Sequence, residues 1–447
     1  MLMMTKWMGL LLLTFFNVMG VAQDDNTTNS SFKLEANSPF SYRMMEPTQN
    51  LRKLSILMEE REDGTLKERG LVIGTSLIAL GDYQYSNIDS KFGYLMRHPT
   101  SKNQIGHVVT EAVIHSFQLS FTGTVNSWIT SYAEILYDPQ QSFGTGLITD
   151  IERNQLQLRK GFVAFGDLKK LPLYGAIGKL DSPFGQTGSV SPFTNSTLWH
   201  AFGGLCYGAQ VSFEKWNINA SFMAAQGGAQ FRGMNTTVGD STNIPSLVNN
   251  FIADLSYTLH FTEEISFKFG GSYLHGSTYN QAFPVQHFDP ASFNNPAVTA
   301  YGYFNLNDRF ILKGGYAKTL KVWPGTHNPT PPLDQFEAFR VSSFDLGASY
   351  TLNANKPIIY KLSAEFSDFV AGPHGAPWER QNQLIVGFSA LFDQSSKLFV
   401  ELFRTDGYVP LNWISGSDPF QPFPPGVTHS EYAAFSNGIV VGCQITF

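Results

Sequence analysis

The last nine residues, Ile439-Val440-Val441-Gly442-Cys443-Gln444-Ile445-Thr446-Phe447, alternate between two kinds of side chain. Counting back from Phe447, every second residue is apolar, and the residues between them are mostly polar or small. A repeat of two residues predicts a β-strand with one apolar face. The chain therefore ends in a strand whose final residue is aromatic.

The same repeat continues upstream to about Gly70. Its clearest example is the segment 251–261, in which Phe251, Leu255 and Leu259 share one face while Asp254 and Thr258 share the other. Strands with one face in lipid and one in water show this pattern over many consecutive segments.

Short and long connections between these segments alternate strictly. Short turns are predicted at 122–126, 167–172, 214–217, 262–264, 307–309, 353–357 and 393–396. Long loops are predicted at about 86–107, 138–152, 183–204, 227–249, 277–297, 320–337, 369–381 and 406–435. Seven turns and eight loops join 16 strands, with both ends of the barrel sequence on the short-turn side. The fold class is therefore predicted as all-β: a transmembrane antiparallel outer-membrane β-barrel with short turns in the periplasm.

Composition supports this prediction. Of the 447 residues, 15% are charged and 14% aromatic, and the mean hydropathy is −0.12. Beyond the first 22 residues no apolar run approaches the roughly 20 residues of a membrane-spanning helix. The net charge of −6 argues against nucleic acid as a partner.

The N-terminal part divides into two predicted segments before the barrel at 71–447. Residues 1–22 have the basic start, short apolar core and small-residue end of a signal peptide. Residues 23–70 are predicted to form a short periplasmic extension, partly helical or disordered, with a helix within 48–68. A solvated linker is the alternative. This extension is too short and too polar to predict a plug domain.

Alternation assigns a set of charged and aromatic residues to the lumen as candidate ligand-binding residues. Basic residues would attract an anionic solute, and tyrosines would offer stacking surface. A water-filled wall of paired charges is the competing interpretation. The candidates are Arg159, Lys179, Asp181, Lys268, Lys313, Lys361, Tyr301 and Tyr303.

No motif predicts catalysis, a metal site or a cofactor. The ten histidines are scattered, without the spacing of metal ligands, and the sequence has neither a nucleophile elbow nor a phosphate loop. Alternation places Cys206 toward the lumen and Cys443 toward lipid, so no disulfide is expected. We expect that the protein is not an enzyme.

The hairpin 159–185 and the terminal strand both carry resemblances. The terminal strand resembles those of outer-membrane proteins, which implies recognition by the barrel-assembly machinery during biogenesis. The hairpin resembles the LbtU-like siderophore-porin family, and also phosphate-selective and other substrate-specific porins. The matching elements are 161–163, 166–168, 172–174, 178–179 and 183–185.

The LbtU-like resemblance implies uptake of a small solute, an iron–siderophore complex, across the outer membrane. Because the extension is too short and too polar for a plug domain, we expect this uptake to be passive or facilitated. A general or anion-selective diffusion porin is one alternative, and a surface adhesin or structural barrel is another. Expected partners are outer-membrane lipids and lipopolysaccharide, the assembly machinery and the solute. A homo-oligomer is left open.

Overall fold

Every strand from Gly70 onward hydrogen-bonds to its neighbours in the chain, and all these pairings are antiparallel. The computed structural model describes residues 33–48, 53–93, 106–138, 155–185, 188–226, 248–280, 294–352, 356–410, 414–416 and 424–447. The predicted signal peptide lies outside the described residues. A short strand, β1 (Lys33–Glu35), precedes the barrel strands.

The barrel strands number sixteen, β2 to β17. The last strand pairs with the first, with Val440 opposite Asp82, so the sheet closes on itself. The strands are β2 (Gly70–Ser86), β3 (Val108–Thr124), β4 (Ile129–Asp138), β5 (Gln155–Gly166), β6 (Leu173–Asp181), β7 (Leu205–Lys215), β8 (Ile218–Ala225), β9 (Asn250–His260), β10 (Ile265–Leu274), β11 (Ala297–Leu306), β12 (Phe310–Thr319), β13 (Ser342–Thr351), β14 (Ile358–Val370), β15 (Arg380–Phe392), β16 (Ser396–Tyr408) and β17 (Glu431–Thr446).

The predicted alternation of connection lengths is confirmed. The short connections include three tight turns with consecutive positive φ angles, at Trp216–Asn217 (57° and 64°), Asn307–Asp308 (55° and 53°) and Asp393–Gln394 (46° and 55°). Two residues with positive φ match the right-handed twist of the strands that they join. The closed barrel of 16 strands is the predicted fold.

The outer face of the barrel is apolar. Exposed aliphatic and aromatic side chains occupy alternate positions along the strands, as at Leu384 (44% exposed), Val386 (48%) and Phe388 (41%) on β15. Closure leaves no unpaired strand edge, so the backbone polar groups of the wall are satisfied even in lipid. No helix in the described part of the chain is long and apolar enough to cross a membrane.

Within the described residues, three α-helices accompany the barrel: α1 (Ser38–Met45), α2 (Lys53–Glu62) and α3 (Thr197–Phe202). The side chain of Asn37 caps α1 by accepting a 3.0 Å hydrogen bond from the amide of Phe40. Ser196 caps α3 in the same way, with 3.2 Å to the amide of Trp199. The chain from Leu34 to Phe447 forms one compact unit.

Candidate functional site

The helices α1 and α2, called the plug helices below, lie inside the barrel. Side chains on both are buried against inward-facing residues of the wall. A Cβ atom added to Gly74 of β2 would lie 2.7 Å from the Cβ of Ser41 on α1, so the missing side chain allows this close approach. For residues 23–70 the sequence predicts a periplasmic extension, partly helical or disordered; its described helices, 38–45 and 53–62, lie in the lumen.

One side of α2 packs on an apolar part of the inner wall. Leu54 and Leu57 belong to a single buried cluster with Tyr132, Phe162 and Tyr174 of β4, β5 and β6. This contact removes apolar surface from water on both sides, at about 25 cal/mol per Å². Part of the inner wall at β4–β6 is therefore covered by α2, although Phe162 and Tyr174 also border a cavity.

A buried ion pair joins α2 to the same wall. The ammonium of Lys53 is hydrogen-bonded to Glu134, and the two side chains are 1% and 0% exposed. Glu134 also accepts a 2.9 Å hydrogen bond from the hydroxyl of Tyr132 and lies 3.8 Å from the guanidinium of Arg159. Burial lowers the pKa of Lys53, and the attraction of Glu134 only partly offsets this. The pair holds α2 in place, because both charges are shielded from water and would be buried without a partner if the helix moved away.

A second buried pair holds the segment after α1. Both carboxylate oxygens of Glu46 lie 2.8 Å from the ammonium of Lys397, on β16. Burial alone would raise the pKa of Glu46, but the charge of Lys397 and hydrogen bonds from Lys397, Tyr42 and Thr48 outweigh it and lower the pKa. The plug helices are therefore tied to the wall at two separate places.

Residues 188–204, called the inward segment, also fold into the lumen. They follow β6 and contain α3. Glu365 accepts a 2.8 Å hydrogen bond from the amide of Val190, and Glu401 accepts bonds of 2.7 and 3.0 Å from the amides of Phe193 and Thr194. Wall carboxylates thus supply the partners that a buried loop backbone requires.

A polar cavity of about 180 Å³ remains between α2, the inward segment and the wall formed by β5–β12 and β14. Tyr301 stands over Gly270 and donates hydrogen bonds of 2.8 and 3.0 Å to the two carboxylate oxygens of Asp254. We take this cavity as the candidate site. Its polar lining includes Asp181, Gln210, Asn219, Ser221, Asp254, Lys268, Tyr301, Tyr303, Lys313 and Lys361.

Six of the eight candidates from the sequence line this cavity: Asp181, Lys268, Lys313, Lys361, Tyr301 and Tyr303. Tyr301 donates to Asp254, and Lys313 and Asp181 form ion pairs. Lys313 lies 2.8 Å from Asp345 and also bonds the carbonyl of Gly188, while Asp181 lies 2.6 Å from Lys160.

Arg159 lies beside the plug rather than in the cavity lining. The register of β4 with β5 shifts at this point, pairing Glu134 with Lys160 and Ile135 with Leu158. The extra residue lets Arg159 approach Glu134 while Lys160 also faces inward, 1% exposed. A bulge of this kind has no signal in simple alternation.

Lys179 is a correction, because it faces outward. It pairs across the ladder with Tyr207, which is 43% exposed on the outer face, and its ammonium lies 5.6 Å from the centroid of that ring. In β6 the inward residues Tyr174 and Ala176 are as apolar as the outward Ile177, since they belong to the buried cluster of α2. Because both faces of β6 carry apolar residues, the charge of Lys179 did not identify the lumen face of this strand.

Sequence reasoning missed the contribution of the plug helices to the site. Leu54 and Ser55 of α2 line the cavity together with barrel residues. The signal available was the run of apolar residues on the inward positions of β4 to β6, which needs a cover. Within the described residues, no three side chains among His, Cys, Asp and Glu are grouped as a metal site.

No protein-family model matches the chain, and no curated protein matches it. Solved structures similar to it include an anion-selective porin from Comamonas acidovorans (12% identity, TM-score 0.48, covering 84% of this chain and 100% of that one). Others are the outer membrane channel DcaP of Acinetobacter baumannii (13%, 0.46, 85% and 98%) and OprB of Pseudomonas putida (8%, 0.49, 84% and 94%). These likenesses concern the barrel architecture alone.

The location of the chain follows from its own architecture. A closed barrel with an apolar outer face and short turns at one end is built to span the outer membrane of a bacterium. The barrel therefore lies in the bacterial outer membrane.

Proposed function

We propose that the barrel is a porin for passive or facilitated uptake of a small polar solute. The observation that carries the proposal is the polar cavity in the lumen, bounded by the plug helices on one side and the wall of β7–β12 on the other. A 16-stranded barrel is wide enough to enclose an aqueous passage, whereas an eight-stranded one is filled by its own side chains. Here α2 and the inward segment narrow that passage.

The size of the cavity bears on the identity of the solute. At about 180 Å³ it is smaller than the roughly 300–1,000 Å³ typical of pockets that hold drug-sized ligands. This favours a compact solute while the plug helices are in place. The finer prediction, an iron–siderophore complex, rests on the resemblance of the hairpin 159–185, and a ligand of that size would require the plug helices to move.

Two measurements test the proposal. Purified protein in planar bilayers should give stepwise ohmic conductance in potassium chloride, and liposomes that contain it should swell in small sugars or amino acids. A sealed barrel that gives neither result would overturn the proposal. Uptake of radiolabelled ferric siderophore by a deletion strain under iron limitation tests the finer prediction separately, because unchanged uptake would exclude that solute.

A further inference from the structure

Two lysines of the cavity lining, Lys313 and Lys361, differ in their ion-pair and hydrogen-bond partners. Lys313 is held by Asp345 at 2.8 Å, lies 3.7 Å from Glu365 and bonds the carbonyl of Gly188. Lys361 is half-buried on β14 and lines the same cavity, but it makes no hydrogen bond or ion pair with any described residue. An ammonium in a narrow lumen normally has a partner, because removing it from water is costly.

Glu46 and Glu365, the carboxylates whose charges act on Lys361, are also engaged by other groups. Glu46 binds Lys397 through both oxygens, at 2.8 Å each, and accepts a hydrogen bond from Thr48. Glu365 accepts the amide of Val190 and the hydroxyl of Ser189. The charge of Lys361 is therefore directed to the cavity rather than used to hold the wall.

The other charges of the lining do not supply a counter-ion for Lys361. Asp181 is paired with Lys160 at 2.6 Å. Asp254 accepts a 2.6 Å hydrogen bond from Ser272 as well as those from Tyr301. Both carboxylates are thus engaged by groups of the wall.

We propose that Lys361 is the anion contact of the channel, and that the cavity binds a compact oxyanion, a small carboxylate or phosphate, during its passage. This inference rests on the proposed function and names the chemical class of its solute. An unpaired cation in a narrow passage raises the local concentration of anions and favours their entry. The small cavity limits the solute that reaches Lys361 to a few heavy atoms beyond its charged group.

The test is electrical and uses the full-length protein in planar bilayers, with Lys361→Gln compared with Lys179→Gln. Both variants remove one lysine charge, but Lys179 faces lipid beside Tyr207 and not the cavity. In a potassium chloride gradient the unaltered protein should prefer anions, and inorganic phosphate and succinate should each block the current. Lys361→Gln should weaken that block about tenfold, the value of one charged hydrogen bond, and reduce the preference for anions. Lys179→Gln should behave as the unaltered protein.

The outcomes separate the two proposals. Conductance in the unaltered protein with equal block in Lys361→Gln would overturn the role of Lys361 and leave the channel standing. Equal loss of block in both lysine variants would also overturn it, since the effect would then come from net charge. A protein without conductance would instead overturn the proposed function. Lys361→Arg should restore both block and anion preference, which distinguishes a charge requirement from a folding defect.

Discussion

Two parts of the inner wall, β4–β6 and β9–β12, differ in the residue types that face the lumen, because α2 packs against the first and the cavity borders the second. The wall at β9–β12 presents Asp254, Lys268 and Tyr303 to the cavity, with apolar residues outside, as a wet lumen requires. The wall at β4–β6 presents Phe162 and Tyr174 to the interior, where they form a buried cluster with Leu54 and Leu57 of α2 and border the cavity only at its edge with that helix. The inner face of β4–β6 therefore combines apolar side chains under α2 with buried charges such as Glu134 and Lys160, and alternation of polar and apolar residues is clear only at β9–β12.

The largest loss of stability should come from breaking the ion pair between Lys53 of α2 and Glu134 of β4. Lys53→Met leaves Glu134 buried without its main counter-charge, which should destabilise the protein by about 3–5 kcal/mol, at the lower end because Arg159 remains 3.8 Å away. Chemical denaturation of the detergent-solubilised barrel measures this cost. The double variant Lys53→Met with Glu134→Gln should recover much of it.

The matched control for that variant is Lys170→Met. Lys170 lies 2.8 Å from Asp167 on a periplasmic turn, but its side chain is 59% exposed, so its loss should cost about 0–1 kcal/mol. Equal losses for Lys53→Met and Lys170→Met would show that α2 is not held in a dry environment, and would remove the contrast between the two walls.

A smaller effect should follow from crowding α1 at its contact with β2. Gly74→Val places a side chain where Ser41 now lies, and overpacking of this kind costs about 1–3 kcal/mol. We expect weaker docking of the plug helices, seen as faster proteolysis between residues 38 and 62 and as larger single-channel conductance. Gly81→Val on the outward face of the same strand has more room and should change neither. Unchanged conductance in Gly74→Val would mean that α1 does not restrict the passage.

The smallest effect should be the dependence of plug docking on acid. The pKa of Glu46 is lowered in the folded protein from its ordinary value of 4.5, so its stabilising contribution is complete above about pH 4.5 and is lost as the pH falls through the lowered value. Proteolysis of the plug helices with an acid-stable protease, from about pH 6 to about pH 3, should therefore accelerate at the acid end. Glu46→Gln should flatten this dependence. An identical acid response in that variant would assign the effect to other carboxylates.

The sequence was sufficient to predict the barrel, because the turns and the alternating strands are each recognisable within a short stretch of residues. Turns such as 307–309 and 393–396 are visible in a few residues, and the alternation in 251–261 involves one strand at a time. The plug was not predictable in this way, since its evidence is the match between α2 and a wall of three strands distant in sequence. The same match misled the assignment of Lys179, because β6 has apolar residues on both faces.

The candidate site was predictable to the extent that its wall is wet. Lys268, Tyr301 and Tyr303 were assigned to the lumen correctly because their strands alternate clearly. Alternation does not show which of the inward-facing charged residues form ion pairs with one another. Lys313 and Lys361 look equivalent in the sequence, and only the positions of Asp345 and Gly188 show that one is a structural contact.

The tie between Glu46 and Lys397 also has a consequence for the order of folding. These residues are 351 positions apart in the chain, and the contact of Glu401 with the inward segment spans 208. Contacts between such distant residues form late, because the loop that they close costs entropy before the contact returns any stabilisation. We expect the plug helices and the inward segment to dock only after β16 has joined the sheet. Assembly should therefore pass through an intermediate barrel whose lumen is still open, and the lumen should narrow in the last step.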